Sequence, residues 1–145
     1  MGKKSKEKIK VVLDTNILIS AFLWRKNLHK IFDLAKEEKI QICATKELLE
    51  EFYYVLKYPK FTQILRIIGE TPETVLREFL GIVRLYPSLT SKTVLVGEDP
   101  SDDKFLLAAI SAGANFVISG DKHLLKIKEF NGVSIVSAEQ FLKLI

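Results

Sequence analysis

Two aspartates follow apolar runs that are rich in β-branched residues. Asp14 comes directly after residues 11–13, Val-Val-Leu, and Asp121 follows residues 116–119 after a single glycine. Such runs predict buried parallel strands, and the ligands of parallel sheets bind beyond the carboxyl ends of the strands. Each aspartate could equally be the N-cap of the helix that follows it. For either aspartate taken alone, the sequence therefore does not decide between binding a ligand and capping a helix.

A third acidic segment covers residues 98–103, in which four of six residues are acidic. In a helical projection of the segment that follows, Asp102 points into the middle of the apolar face and Asp103 lies at its flank. The helix dipole stabilises a first-turn carboxylate by only about 0.3–1 kcal/mol, whereas burying an unpaired charge costs several kcal/mol. A buried Asp102 therefore needs a cation. The alternative is that Asp99 and Asp102 accept hydrogen bonds from backbone N–H groups at the helix start.

The helix predicted after residues 40–44 supplies a further acid. Its projection places Glu51 beside Val55 at the margin of the buried face, while Glu50 faces water and Glu47 lies further out. Glu51 is therefore the glutamate of this helix that can lean toward the edge of the sheet. Taken alone, it could also be an ordinary surface residue.

These acids become informative as a set, because they belong to four elements that one sheet edge can bring together. Two like charges about 4 Å apart repel by roughly 4 kcal/mol at an effective dielectric constant near 20. The carboxylates must then be protonated or be held by a cation. A set of oxygen ligands without cysteine or histidine favours Mg²⁺ or Mn²⁺ over zinc, and such ions commonly serve in phosphate-ester hydrolysis. The four acids are Asp14, Glu51, Asp102 and Asp121.

The elements that must position these acids alternate along the chain. Strands followed by helices predict a single α/β domain with a mostly parallel sheet covered by helices on both faces. A helix that starts at Thr71-Pro72 is predicted to run to about Val83. Thr45 is a predicted N-cap, and Ser137 with Gln140 predicts a capping box. The five predicted strands are residues 9–14, 40–44, 93–96, 116–119 and 133–136.

Composition and charge limit the classes of protein to which the chain can belong. The chain has 145 residues, 48% of them hydrophobic and 28% charged, which is typical of one globular domain. A single cysteine excludes a disulfide framework, and no apolar run is long enough to span a membrane, so we expect a cytoplasmic protein that does not bind membranes. Residues 1–10 hold five lysines and one glutamate, which account for the whole formal net charge of +4. We therefore predict a flexible basic tail at 1–10 and one domain at 11–145.

Four segments together resemble the PIN-domain family of metal-dependent ribonucleases. The resemblance extends from about Val11 to Leu142, and it is strongest to the toxin components of toxin–antitoxin pairs. The ordered set of acids, ending in the Ser-Gly-Asp of the fourth strand, is more specific than the first motif alone. The four segments are LDTN at 13–16, ELLEEF at 47–52, DPSDDKFLLAA at 99–109 and ISGDKHLL at 118–125.

The resemblance implies a PIN-like fold and an acidic site. The implied fold is a five-stranded parallel sheet in the order 3-2-1-4-5, flanked by helices, with Asp14 and Asp121 on neighbouring strands. The implied catalytic metal ligands are the same four acids, with Asp103 as a second candidate beside Asp102. Asn16 and Ser119 are implied as polar support.

The resemblance also implies an activity and partners. The activity is endonucleolytic cleavage of single-stranded RNA by a metal-activated water, with Mg²⁺ or Mn²⁺ as cofactor. The expected protein partner is a small antitoxin, and the expected oligomeric state is a homodimer. Arg25, Lys26 and Lys30 are candidate phosphate contacts, with a solvated helix surface as the alternative. The competing hypothesis for the whole chain is a non-catalytic PIN-like module that binds RNA or another protein.

Overall fold

The computed structural model describes residues 8–23, 28–89 and 103–145, and within these ranges six strands form one sheet with helices around it. No helix in this part of the chain is both long and apolar enough to cross a membrane. The strands are β1 (Ile9–Leu13), β2 (Ile40–Ala44), β3 (Val83–Leu85), β4 (Phe116–Ile118), β5 (Glu129–Phe130) and β6 (Val133–Val136). The helices are α1 (Thr15–Leu23), α2 (His29–Lys36), α3 (Lys46–Leu56), α4 (Pro59–Ile67), α5 (Pro72–Leu80), α6 (Asp103–Ala112), α7 (Lys122–Ile127) and α8 (Ala138–Leu144).

The sheet has the order β3-β2-β1-β4-β6-β5. β1 lies at the centre and pairs in parallel with β2 and β4, so that Val12 is opposite both Cys43 and Val117. β4 pairs in parallel with β6, and the two-residue β5 pairs antiparallel with β6. The predicted α/β fold with a mostly parallel sheet is confirmed, with one short strand more than the five expected.

Apolar cores lie on both faces of the sheet, because alternate residues of a strand point to opposite sides. Val11 and Leu13 pack with buried residues of α1, α2, α3, α4, α5 and α8. Val12 packs on the other face, mainly with α6 and α7. The first core contains a cluster of phenylalanine rings with centroids 4.4–6.4 Å apart. The central strand is therefore rigidly held from both sides, which suits it to carry a site at its end. The clustered rings are Phe22, Phe32, Phe52 and Phe79.

The strand beside β2 is not the predicted one. That edge position was expected for residues 93–96, which lie outside the described residues, and it is taken by β3, with Val83 opposite Ile42. The prediction that the preceding helix runs to about Val83 was wrong, since α5 ends at Leu80 and Gly81 is its C-cap. The short segment after Gly81 is rich in β-branched residues and finds a free parallel edge beside β2, and pairing there outweighs a further helical turn.

The predicted helix starts are confirmed. Thr45 accepts a hydrogen bond from the backbone of Leu48 at the start of α3, and Thr71 and Ser137 form capping boxes at α5 and α8. β1 begins at Ile9, so two residues that the charge count placed with the N-terminal segment belong to the sheet. Local sequence signals thus place most helix boundaries within one turn.

Candidate functional site

A pocket of about 190 Å³ lies beyond the carboxyl ends of β1 and β4, where the strand order reverses. This is the edge at which parallel sheets bind ligands. Three of the four predicted acids line the pocket, and they come from the β1–α1 junction, from α3 and from the start of α7. The lining residues are Asp14, Thr15, Asn16, Glu51, Val55, Lys104, Phe105, Asp121 and Leu124.

Asp14 is held at the end of β1 by bonds to its backbone and to both carboxylate oxygens. Its N–H donates to the carbonyl of Ile118 at 3.1 Å, which extends the β1–β4 pairing by one residue. Oδ1 accepts from the N–H of Ile17 at 2.8 Å, whereas Oδ2 accepts from Ser119 Oγ at 2.5 Å and from the N–H of Gly120 at 3.4 Å. The residue is only 5% exposed. Asp14 therefore has both predicted features, a capping bond to α1 and a place in the pocket.

Burial raises the pKa of the Asp14 carboxyl above its ordinary value. The hydrogen bonds from Ser119, Ile17 and Gly120 oppose this effect because they stabilise the carboxylate, and the negative charge of Asp121 adds to it. The net direction is upward, so desolvation is the dominant cause. A carboxylate in this state gains from any cation that enters the pocket.

Ser119 links the two aspartates of the pocket. Its side chain is fully buried after β4, and its hydroxyl donates to Asp14 while accepting from the N–H of Asp121 at 2.9 Å. Asp121 in turn accepts from the N–H of His123 at 2.8 Å as the N-cap of α7. One hydroxyl thus fixes the end of β1 against the loop that carries the second aspartate.

Glu51 reaches the pocket from α3 and is bonded on both oxygens. Oε2 accepts from the hydroxyl of Thr15 at 2.6 Å, and Oε1 lies 2.6 Å from Nζ of Lys104 on α6. The side chains of Glu51 and Lys104 are 29% and 19% exposed. The projection of α3 is borne out by burial, because Glu47 and Glu50 are exposed and Glu51 is half-buried. The carboxylate of Glu51 is therefore already neutralised by a lysine.

The other predicted residues fall in different places. Asn16 is exposed at the rim of the pocket, and Lys30 is exposed on α2 and does not line it. Asp103 is the first residue of α6, and its side chain is outside the described part of the structure. Asp102, Arg25 and Lys26 lie outside the described residues.

The described ranges alone contain no group of three His, Cys, Asp or Glu side chains placed to hold a metal ion. Asp121 is close enough to Asp14 for its charge to raise the pKa of the Asp14 carboxyl, and Glu51 is turned to Lys104. The four-acid ligand set expected from the sequence therefore remains a prediction, of which three members are placed in one pocket.

Two polar residues of the pocket were not anticipated from the sequence. The sequence assigns no role in the site to Thr15 or Lys104, and both line the pocket. One signal was available for Lys104, since a cation in the first turn of a helix opposes the helix dipole and needs a partner. The partner, Glu51, is 53 residues away in the chain, and no local pattern indicates it.

Comparison with known proteins decides the family. A family model described as PIN domain matches residues 10–123. The chain belongs to the PIN-domain family. One relative, the uncharacterized protein MJ1680 of Methanocaldococcus jannaschii, is 31% identical in an alignment of 144 positions that covers 90% of this chain and 83% of that protein. PIN domains are generally nucleases, and they generally use divalent metals.

Solved structures share the fold of this PIN domain. VapBC2 from Rickettsia felis, bound to a DNA fragment from its promoter, has a TM-score of 0.59 at 18% identity and covers 88% of this chain and 97% of that one. PAE2754 from Pyrobaculum aerophilum has a TM-score of 0.58 at 17% identity, covering 94% and 88%. DNA-bound VapBC from Salmonella typhimurium has a TM-score of 0.55 at 18% identity, covering 90% and 98%.

Proposed function

We propose that this PIN-domain protein is an endoribonuclease that cleaves single-stranded RNA with the help of Mg²⁺ or Mn²⁺. The observation that carries the proposal is the pairing of Asp14 and Asp121 in one pocket at the reversal of strand order, joined through the buried hydroxyl of Ser119. This arrangement destabilises the folded protein when Asp14 is ionised, because burial raises the pKa of the Asp14 carboxyl and the negative charge of Asp121 repels it. Such a cost is typical of a functional site.

The residues of the pocket fit a divalent cation. No lysine or arginine of the described ranges pairs with Asp14, whose carboxylate is almost fully buried. Carboxylate oxygens are the ligands that Mg²⁺ and Mn²⁺ prefer. Asp14 and Asp121 would hold the ion, and Asp102 remains a ligand predicted from the sequence.

The pocket supplies what phosphodiester hydrolysis requires of the protein. A divalent cation would neutralise charge on the phosphate and activate a water molecule. Ser119 and the N–H of Ile17 hold Asp14 in one orientation, which lowers the cost of reorganisation when substrate binds. Phe105 and Leu124 form apolar walls beside the acids. The proposed chemistry needs no side-chain nucleophile.

The experiment is a cleavage assay on fluorescent single-stranded RNAs of varied sequence, with Mg²⁺, Mn²⁺ or a chelator. Asp14→Asn and Asp121→Asn should abolish metal-dependent cleavage, while Asp33→Asn, which changes an exposed aspartate paired with His29 on α2, should not. Circular dichroism checks that each variant is folded. If the unmutated protein cleaves none of the RNAs with either metal, the nuclease proposal fails and a non-catalytic RNA-binding module takes its place.

Metal binding has a second measure, which does not depend on the choice of RNA. Mn²⁺ at 100 times its Kd should stabilise the native state by about 2.7 kcal/mol and so raise the Tm of the protein. Asp14→Asn should lose this rise in Tm. The same rise in both proteins would place the bound metal elsewhere.

We further propose that the protein acts in the cytoplasm as a VapC-like toxin held by a small antitoxin. Support comes from the fold shared with two VapBC toxin–antitoxin structures. If the proposal is right, a short DNA-binding protein encoded immediately upstream should bind this chain and inhibit its cleavage of RNA. The proposal includes the homodimer expected from the resemblance, so the purified chain should sediment as a dimer, and a monomer would contradict this part of it. An upstream product that neither binds nor inhibits would favour a nuclease without an antitoxin.

A further inference from the structure

Lys104 places an ammonium group inside the acidic pocket. The lysine extends from the first turn of α6 to Oε1 of Glu51 on α3, at 2.6 Å, and lines the same pocket as Asp14 and Asp121. Its side chain is four-fifths buried, and Nζ lies 5.3 Å from the ring centroid of Phe105. This is an interior ion pair between two helices, unlike the exposed lysine pairs elsewhere on the described surface.

The pair leaves Glu51 poorly suited to bind a divalent cation directly. One oxygen contacts the ammonium, and the other accepts from Thr15. A divalent cation on Oε1, at a bond length of about 2.1 Å, would come within about 4 Å of Nζ of Lys104, where like charges repel strongly. Asp14 has no lysine or arginine partner in the described ranges. The pocket therefore has one side neutralised by the protein and one side open to an external cation.

The formal charges of the pocket agree with this division. Its described lining carries three carboxylates and one ammonium, which leaves two negative charges. This equals the charge of one divalent cation before Asp102 is counted, the predicted ligand that lies outside the described residues. Without Lys104 a third negative charge would remain, and Glu51 would lose its cation.

We propose that Lys104 is the built-in second cation of the pocket: it holds Glu51, confines a divalent cation to the side of the pocket that carries Asp14 and Asp121, and sets the metal count at one per chain. This inference rests on the proposed function and specifies how the site handles its cofactor. Glu51 then contributes through Lys104 and not as a direct metal ligand.

The first test counts bound Mn²⁺ by electron paramagnetic resonance and by calorimetry on the full chain. The unmutated protein should bind one Mn²⁺, Lys104→Met should bind two, and Lys104→Arg, which keeps the charge, should return the count to one. Lys143→Met is the matched control, because it removes a lysine from an exposed pair with Glu139. Its count should stay at one. Lys104→Gln replaces Lys104→Met if circular dichroism shows that the methionine variant is unfolded.

A charge-neutral double variant tests the role of Glu51 independently. Glu51→Gln combined with Lys104→Met removes one negative and one positive charge, so the net charge of the pocket is unchanged. If Glu51 is not a direct ligand, the double variant should bind one Mn²⁺ with a Kd within threefold of the unmutated value. A loss of tenfold or more in affinity would mean that Glu51 ligates the metal.

The outcomes separate this inference from the proposed function. Two Mn²⁺ in the unmutated protein, one Mn²⁺ in Lys104→Met, or a tenfold loss in the double variant would each overturn the role of Lys104 and leave the metal site standing. No bound Mn²⁺ in any of the proteins would overturn the proposed metal-dependent function and the role of Lys104 with it.

Discussion

Ser119→Ala is the substitution that most directly tests how the pocket is built. The variant removes the hydroxyl that donates to Asp14 Oδ2 at 2.5 Å and accepts from the N–H of Asp121 at 2.9 Å. The side chain is fully buried, so water cannot readily replace either bond. Asp14 Oδ2 would keep only the 3.4 Å bond from the N–H of Gly120.

The magnitude follows from these two bonds. A hydrogen bond to a charged group contributes about 1.5–3 kcal/mol, and a buried N–H left without its acceptor costs about 1–3 kcal/mol. Because the two terms share one side chain and are not additive, we expect Ser119→Ala to lower the free energy of unfolding by about 2–4 kcal/mol. The corresponding fall in Tm is about 6–15 °C for a domain of this size.

The effect should depend on pH through Asp14. Burial raises the pKa of this carboxyl in the folded state, so its ionised form reduces stability at neutral pH, and that loss disappears as the pH falls through the folded pKa toward the unfolded value. The bond from Ser119 opposes the rise, and removing it raises the pKa further. The stability difference between the unmutated protein and Ser119→Ala should therefore be largest near pH 7 and should narrow in acid.

Urea denaturation of the metal-free protein, followed by circular dichroism between pH 4 and pH 7.5, measures both effects. Ser111→Ala is the matched control, since its hydroxyl donates to the carbonyl of Pro87 at 2.6 Å in an exposed position, where the change should be small. Ser119→Ala could lower the free energy of unfolding no more than Ser111→Ala does, or by the same amount at every pH. Either result would mean that the hydroxyl of Ser119 does not stabilise an ionised Asp14.

Predictions at three further residues concern the scaffold around the site. Burial raises the pKa of the Cys43 thiol to about 11, so a thiol reagent at pH 8 should label it only in denaturant, and rapid labelling of the native protein would contradict this. The same shift means that the unfolded thiol ionises first as the pH rises above 9, so the unmutated protein should lose stability relative to Cys43→Ala between pH 9 and pH 11. Thr45→Ala should lower the free energy of unfolding by about 1 kcal/mol through loss of the N-cap of α3, while Thr45→Ser should not, and equal losses in both would point to packing instead. Phe52→Ala should lower the free energy of unfolding by about 3–5 kcal/mol in the same assay, because its ring is fully buried and its centroid lies 5.3 Å from that of Phe79. A smaller loss than that of Thr45→Ala would mean that the aromatic cluster does not stabilise the core.

Much of this architecture could be predicted because local chemistry sets it. The apolar run before Asp14 reads as a buried strand from residue types alone, and the hydroxyls of Thr45 and Ser137 mark helix starts through bonds to residues three positions away. A helical projection also separates Glu51 from Glu50 correctly. These features depend on neighbours within one or two turns, which the sequence lists directly.

The edge strand shows where local information is insufficient. A short segment such as Val83–Leu85 suits a helix end or a strand about equally, and its pairing with β2 decides between them. That pairing partner lies some 40 residues earlier in the chain. The prediction that the helix runs to about Val83 was wrong for this reason.

The sequence by itself determined most of the order of helices and strands, the type of fold, and the aspartates that follow β1 and β4. Only the tertiary structure decided that Ser119 would join those aspartates and that Lys104 would meet Glu51. The physical reason is that periodicity specifies which face of an element is buried, whereas the partner across that face depends on how distant elements pack. In this protein that packing brings acids from separate elements into one pocket, where Lys104 neutralises Glu51 and no lysine or arginine of the described residues pairs with Asp14.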